Sequence, residues 1–310
     1  MNPNSPKISV VICTRNRPGD VALCLPTVLA CLRDDWEILL VDQSDGMETR
    51  AVAERLAAGC PNLRYLPTET RGKSRALNLG IAETDGPLLA FTDDDCEAPP
   101  DWLEKIAAEF AAAPDADVLF GPVLPSPAIP DLQSVCVPSW SFSEARDLKP
   151  GEVCGMGANM ALRRSVLARL PSGLLFDPAM GPGGAFPAGE EGDFVYRLRR
   201  AGARAALRPA LRLCHRAWRT PAHWTSVLHG YGVGEAAFFA KHARCGDGWA
   251  VRRLAATWLH LAVRAGAKAM LRRPNSDAAL LSGLCRGFAA SLRVGVDSRT
   301  RLYRPAEAKR

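Results

Sequence analysis

The sequence lacks most features that would mark a small metal module, a membrane span or a repeat array. None of its ten cysteines forms a C-x-x-C pair, so no tight zinc or thioredoxin-like site is signalled. Several sit in apolar runs, such as Cys13 in Val10-Val11-Ile12-Cys13, and the expectation is small buried thiols in a reducing cytosol. No window of about 18 residues is free of charge, which predicts no spanning helix. Aromatics are sparse at 7%, so no large stacking surface is advertised. The opening residues MNPNSPK have no basic stretch leading into an apolar one, and no secretory signal is expected. Internal repeats and low-complexity segments are also missing.

What remains is an ordinary globular composition, with 47% hydrophobic and 23% charged residues over 310 positions. That length suits one large α/β domain plus a smaller appendage. The net charge of +6 is unevenly placed. Residues 251–310 hold 13 Lys/Arg against 3 Asp/Glu, so this stretch carries +10 and the rest −4.

Short β-branched runs at 8–13, 36–41, 63–66, 87–92 and 117–121 read as strands. Helical patterns at 19–33, 47–58, 73–83 and 101–113 lie between them, with Asp20 a candidate N-cap and Gly59 a candidate C-cap. This alternation predicts a mostly parallel sheet covered on both faces, with ligands at the carboxyl ends of its strands. A Pro-rich irregular stretch, 122–152, has the character of a lid or binding segment. A further helix is expected at 192–201, and the chain reads as mostly helical beyond 220.

Three acidic loops carry the chemistry. Asp42, after the second strand, suits a hydrogen bond from a nucleobase or ribose hydroxyl, or equally a turn or helix cap. Asp93-Asp94-Asp95 ends an apolar strand, where adjacent carboxylates repel unless a cation sits among them. Alternation along extended backbone lets Asp93 and Asp95 face one site, and Mg²⁺ or Mn²⁺ favours a pair of carboxylates plus phosphate oxygens. The third loop places Glu190, Glu191 and Asp193 at a helix start. The helix dipole favours acids there, and any one of them is also a candidate general base. Arg71, Lys73 and Arg75 are candidates to meet diphosphate charge, or else solvated helix-start cations. His215, near a late strand end, is either a metal ligand or structural. The loop Met180-Gly181-Pro182-Gly183-Gly184-Ala185-Phe186-Pro187 lacks a P-loop ending and reads as a mobile acceptor-side loop or a linker.

In order, these elements resemble the family-2 glycosyltransferases of the GT-A fold. Cys13-Thr14-Arg15-Asn16-Arg17 is similar to the family's T-x-N-R-like loop, and Val41-Asp42-Gln43-Ser44-Asp45 to its V-D-x-S-x-D segment. Gly72-Lys73-Ser74-Arg75-Ala76-Leu77-Asn78-Leu79-Gly80 resembles its G-x-x-x-A-x-N-x-G helix start, and Asp93-Asp94-Asp95 its D-x-D motif. The E-D-x-D element is matched by Glu190-Glu191-Gly192-Asp193, running on to Arg197 and Gly202. The resemblance covers about residues 7–220. It implies a GT-A, Rossmann-like α/β sandwich with a mostly parallel central sheet, residues 1–220, followed by a helical region, 221–310. It implies a nucleotide-sugar donor contacted by Thr14, Arg15, Asn16, Asp42, Arg71, Lys73, Arg75, Asn78, Asp93 and Asp94. It also implies a divalent metal on Asp93, Asp95 and His215, and inversion at the anomeric carbon. Glu191 falls where the family usually has an Asp base, one methylene longer, so Glu190 and Asp193 stay open for that role.

The basic C-terminus adds a partner question. In 251–272, Arg253, His260, Arg264, Lys268 and Arg272 share one helical face and Leu254, Trp258, Leu261 and Ala265 the other. A similar pattern recurs in 277–294. Such helices lie on anionic membrane surfaces or pack on their own domain with the basic face in water. The expected partners are therefore a nucleotide-sugar donor and a saccharide or lipid-linked acceptor, with an anionic membrane surface as a candidate and no nucleic acid. The expected location is the cytoplasm, with a peripheral position on the cytoplasmic face of the membrane as the candidate that the basic helices add. Two rivals compete: a non-catalytic membrane-peripheral scaffold, and a sugar-phosphate nucleotidyltransferase. The second would want a glycine-rich loop after the first strand, where Thr14-Arg15-Asn16-Arg17-Pro18 stands.

Overall fold

The β-branched, apolar runs form the centre of the fold in a computed structural model that describes residues 7–129, 131–149, 151–171, 175–272 and 275–304. The stretch 1–6, where no secretory signal is expected, lies outside these residues. In chain order the first half is β1 (Ile8–Thr14), α1 (Pro18–Leu29), β2 (Trp36–Asp42), α2 (Glu48–Ala57), β3 (Leu63–Pro67), α3 (Lys73–Ala82) and β4 (Leu88–Asp93). Then come β5 (Cys96–Glu97), α4 (Trp102–Ala112), β6 (Val118–Phe120), β7 (Val123–Pro125), β8 (Arg146–Asp147) and β9 (Met160–Arg163). The remainder is α5 (Glu190–Arg200), β10 (Ala205–Leu207), β11 (Leu213–His215), α6 (Pro221–Arg244), α7 (Gly248–Met270), α8 (Ser276–Ser291) and a hairpin, β12 (Val296–Asp297) and β13 (Leu302–Tyr303).

The main sheet has the order β3-β2-β1-β4-β9-β6-β10-β8. Its first four strands are parallel, β9 runs antiparallel between β4 and β6, and β8 is an antiparallel edge. Alternation along β1 divides the core. Val10 and Ile12 pack toward α1, α2 and α4, whereas Val11 packs toward α3 and α5. Each fully buried side chain of this kind contributes about 1.5–3 kcal/mol. Because β1 lies between β2 and β4, the strand order reverses beside it. In such sheets the crevice at that switch point is where ligands bind. Asp20 does not cap α1, which starts at Pro18. Its carboxylate instead pairs with Arg17 (2.8 Å) and Arg216 (3.2 Å).

A second, three-stranded sheet, β5-β11-β7, folds over the end of β4. Its register sets His215 opposite Cys96, and the Arg216 amide donates to the Asp95 carbonyl at 2.9 Å. A late strand is thereby fixed against the aspartate triplet.

Helix α6 opens at Pro221 behind the cap Thr220, whose hydroxyl accepts the His223 amide at 3.3 Å. It crosses α8 so closely that a Cβ on Gly283 would lie 2.1 Å from the His229 carbonyl oxygen. The helical region shares a core with the sheet domain: Val233, Phe238 and Leu284 cluster with Met180, Phe186 and Tyr196. On α7, Leu254, Leu261 and Ala265 are buried. The apolar face noted in the sequence therefore packs inward, and Arg264 and Lys268 reach Asp277 at 3.1 and 2.8 Å. Among the described residues, no helix is long and apolar enough to cross a membrane.

Candidate active site

The carboxyl ends of β1, β2 and β4 open into a cleft of about 1290 Å³. Thr14 at the end of β1 lines it with Arg15 and Arg17 of the loop that follows, Gln43 comes from just after β2, and Asp93 at the end of β4 is followed by Asp94 and Asp95. Glu190 and Glu191 line it from the start of α5, with Lys73 and His215. The far wall is the surprise: Trp224, Tyr231, Glu235, Phe238, Trp249 and Arg253 come from α6 and α7.

The aspartate triplet does not act as three equivalent ligands. Asp93 takes an ion pair from Lys73 at 2.5 Å. Asp94 turns inward, accepting the Thr14 hydroxyl at 2.6 Å and the Arg17 guanidinium at 2.6 Å. Burial pushes its carboxyl up to about 7, although Arg17 pulls the other way. Asp95 accepts Arg17 through Oδ2 at 2.7 Å, while its Oδ1 is buried without a hydrogen bond. His215 Nε2 lies 3.3 Å from that orphaned oxygen. Burial would raise the Asp95 carboxyl, but His215 and Arg17 outweigh it and hold it below its ordinary value. His215 Nδ1 faces the Ala217 carbonyl at 3.3 Å. A carbonyl only accepts, so in neutral His215 the proton sits on Nδ1 and the Nε2 lone pair points at Asp95. Two lone pairs facing across such a gap suit a proton or a cation between them. Among the described residues, Asp95, Cys96 and His215 form the cluster whose donor atoms could converge on one ion. Of these, carboxylate and imidazole are the donors that suit Mg²⁺ or Mn²⁺.

Next to Asp93, Glu190 is buried, and the same Lys73 Nζ lies 3.7 Å from it. Burial, reinforced by Glu191, raises its carboxyl to about 8 against the pull of Lys73. Burial would lower Lys73, but Asp93 and then Glu190 and Glu191 outweigh it, keeping the ammonium charged. Glu191 is half-buried, and its side chain packs beside Gly157.

Several candidate residues stand elsewhere. Asp193 is fully buried outside the cleft lining, paired with Lys241 (2.8 Å), Arg197 (2.9 Å) and His242 (2.9 Å). One turn further along the same face of α5 than Glu190, it lies under α6, where Lys241 and His242 hold it, so it is placed to hold α6 and not to take a proton from an acceptor. Asn78 also faces inward, clamping the Phe176 amide and carbonyl at 2.8 Å each. Asp42 lies behind the cleft wall, accepting the Ser44 amide and the Tyr65 hydroxyl at 2.8 Å each. Arg71 and Asn16 are committed to Asp45, and Arg75 is exposed outside the cleft lining. The glycine-rich loop is tied down. The Lys73 amide donates to Pro182 (2.9 Å), Ser74 to the Met180 carbonyl (2.7 Å), and a Cβ on Gly183 would sit 2.9 Å from the Gly72 Cα.

Arg17 was not singled out from sequence, although it bridges Asp94 and Asp95. The signal was its place at the end of the T-x-N-R-like segment. The α6 and α7 wall had no comparable signal.

A family model described as Glycosyl transferase family 2 matches residues 9–170, more than half of the chain. The chain belongs to this family. Its fold is of the GT-A α/β type. Among curated relatives, glycosyltransferase AglE of Haloferax volcanii is 32% identical over 108 residues, covering 34% of this chain and 36% of that protein. Succinoglycan biosynthesis protein ExoM of Rhizobium meliloti is 28% identical over 213 residues, covering 65% and 64%. The glucosyl-dolichyl phosphate glucuronosyltransferase of Haloferax volcanii is 29% identical over 121 residues, covering 38% and 39%. Each match spans less than two thirds of the relative's own length. Among solved structures, the mannosyltransferase PcManGT of Pyrobaculum calidifontis, in complex with GDP-Man and Mn²⁺, superposes with a TM-score of 0.63 at 19% identity, covering 91% of this chain and 87% of that one. Residues 1–349 of S. aureus TarS, in complex with UDP-GlcNAc, give 0.51 at 17% identity, covering 74% and 66%. At such identities the likeness concerns the fold.

Proposed function

We propose that this glycosyltransferase moves a sugar from a nucleotide-diphosphate donor to an acceptor hydroxyl, with inversion at the anomeric carbon. The observation that carries the reading is the meeting of Asp93, Asp95, His215, Glu190 and Glu191, from distant parts of the chain, in one cleft at the sheet's switch point. The donor class is supported by fold neighbours solved with GDP-Man and with UDP-GlcNAc.

Asp95 and His215 are the residues that would hold Mg²⁺ or Mn²⁺, and the orphaned Asp95 oxygen fits this role; Asp93, paired with Lys73, is not part of that cluster. When bound, the ion neutralises charge on the diphosphate. Lys73, kept charged by its acidic neighbours, is a second positive charge in the cleft for the same developing charge. Arg17 aligns Asp94 and Asp95 and acts through them. Glu191 takes the proton from the acceptor hydroxyl as its oxygen bonds to the anomeric carbon. The bond from that carbon to the phosphate oxygen breaks, and the nucleoside diphosphate leaves with the electron pair. Glu190 is the poorer base: it is more deeply buried than Glu191 and lies against Lys73.

Residues 1–220 form the donor-binding catalytic part in this reading, and 221–310 supply the acceptor side of the cleft. The acceptor is a saccharide or lipid-linked saccharide in polysaccharide or glycolipid assembly, handled at the cytoplasmic face of a membrane. Calorimetry and transfer assays with UDP-, GDP- and dTDP-sugars, each with and without Mn²⁺ or Mg²⁺, test the proposal. Metal-dependent binding of one donor class supports it. No binding across the panel refutes it.

A further inference from the structure

Helix α7 has two apolar faces, and only one is used by the fold. Leu254, Leu261 and Ala265 point inward. On the opposite side Leu259 is 68% exposed, Val263 62% and Met270 87%. At about 100° per residue these three fall within roughly 40° of one another around the helix axis. Ala255, Ala262 and Gly266 extend the same strip, and all three are exposed. Exposed large apolar groups scattered singly are normal, but a continuous strip along one helix is not.

The charge beside the strip identifies its occupant. Between Gly248 and Met270 the helix has no Asp or Glu, but it has Arg252, Arg253, Arg264 and Lys268, and Arg272 follows. Arg253, His260 and Arg264 lie along one edge of the strip. Arg264 and Lys268 share Asp277 of α8, which leaves an excess of positive charge beside the strip with Arg252, Arg253 and Arg272, and a partner protein with an ordinary mixed surface has no special fit to that combination. An anionic lipid surface fits both: acyl chains take the strip and headgroups take the guanidinium edge. The helix is about 34 Å long at 1.5 Å per residue, long enough to cross a bilayer but not apolar enough to do so. It is built to lie in the interface. Trp249 and Arg253, in its first two turns, line the catalytic cleft.

We propose that the outward strip of α7, centred on Leu259, Val263 and Met270, is a docking surface for an anionic bilayer and holds the cleft mouth beside the lipid. This deepens the peripheral placement proposed above and does not depend on the identity of the general base or donor.

The test is co-sedimentation of the full chain with phosphatidylcholine vesicles, with and without phosphatidylglycerol. The expected result is binding to the anionic vesicles that weakens as salt is raised. Leu259→Asp combined with Val263→Asp should lower the partition by about tenfold or more, since exposed apolar side chains lose their insertion. Leu23→Asp, at an exposed leucine on α1, should leave it unchanged. Both substitutions fall on exposed positions, and an unchanged thermal midpoint verifies folding. The proposal is overturned if the wild type stays in the supernatant, if the double variant partitions as the wild type does, or if the strip is occupied by a second copy in solution. Donor binding by calorimetry separates the two readings. A variant that releases vesicles but keeps donor affinity fails only in docking, whereas a chain that binds vesicles and no nucleotide-sugar fails only in the transfer reading.

Discussion

Changing Asp193 to asparagine decides whether the acidic start of α5 contains two functional carboxylates or three. In the structure this carboxylate is buried with Lys241, Arg197 and His242 within 2.9 Å, and Lys241 also reaches Asp177 at 2.6 Å. Burial alone would push the Asp193 carboxyl up. Lys241, Arg197 and His242 more than offset that and hold it well below the usual carboxylate range. The isosteric D193N change removes the charge while keeping the volume, leaving buried cations partly uncompensated. Breaking a buried ion pair in this way costs about 3–5 kcal/mol. In a chain of this size each kcal/mol lowers the melting midpoint by about 2 °C, so the expected fall is about 6–10 °C at pH 7. The sign with pH follows from linkage. Because the folded carboxyl is depressed, its contribution is complete above the unfolded value and is lost as pH falls below about 5, where the unfolded state takes up protons first. The gap between wild type and D193N should therefore narrow from pH 7 toward pH 4 in thermal unfolding followed by circular dichroism. Donor affinity of the folded variant should stay near wild type. A D193N protein that melts within about 1 °C of wild type yet loses transfer would refute the placement of Asp193 in the framework and return it to the chemistry.

Three further outcomes are expected. E191Q should lower transfer by about 10²–10⁴-fold with donor affinity kept, measured by product formation and calorimetry. E190Q should be milder; the reverse order would reassign the base. D95N and H215A should each weaken donor binding only when Mn²⁺ or Mg²⁺ is present, and an effect of equal size without metal would remove both from the ion site. G283A should destabilise by about 1–3 kcal/mol or more, because its Cβ would meet the His229 carbonyl of α6 and the two helices must part. An unchanged denaturant midpoint would count against that close packing.

Much of the donor side was legible because its logic is local. Apolar strands ending in acidic or Thr-Arg loops place Thr14, Asp93, Asp94 and Asp95 at a sheet edge wherever the strands align in parallel. His215 was legible as a candidate, but its worth depends on the pairing of β11 with β5, a contact across more than a hundred residues. The individual roles within the triplet were not legible. Whether Asp94 or Asp95 keeps a free oxygen is set by where Arg17 lands, which depends on the loop after β1 folding back over the end of β4. Asn78 and Asp193 read like site residues because they stand in the same motifs as true cleft residues. A residue one turn along the same helical face can lie deeper, beneath another segment: Asn78 meets Phe176 and Asp193 meets Lys241 and His242 of α6.

The sequence by itself determined the alternation of elements, the mostly parallel sheet and the acidic strand ends, because hydrophobic period and turn chemistry act over a few residues. Only the tertiary structure decided which carboxylates share the cleft, that α6 and α7 form its far wall, and that α7 spends one apolar face on the core while leaving another to solvent. Those outcomes follow from packing between segments far apart in the chain, where burial of one face decides what the opposite face presents.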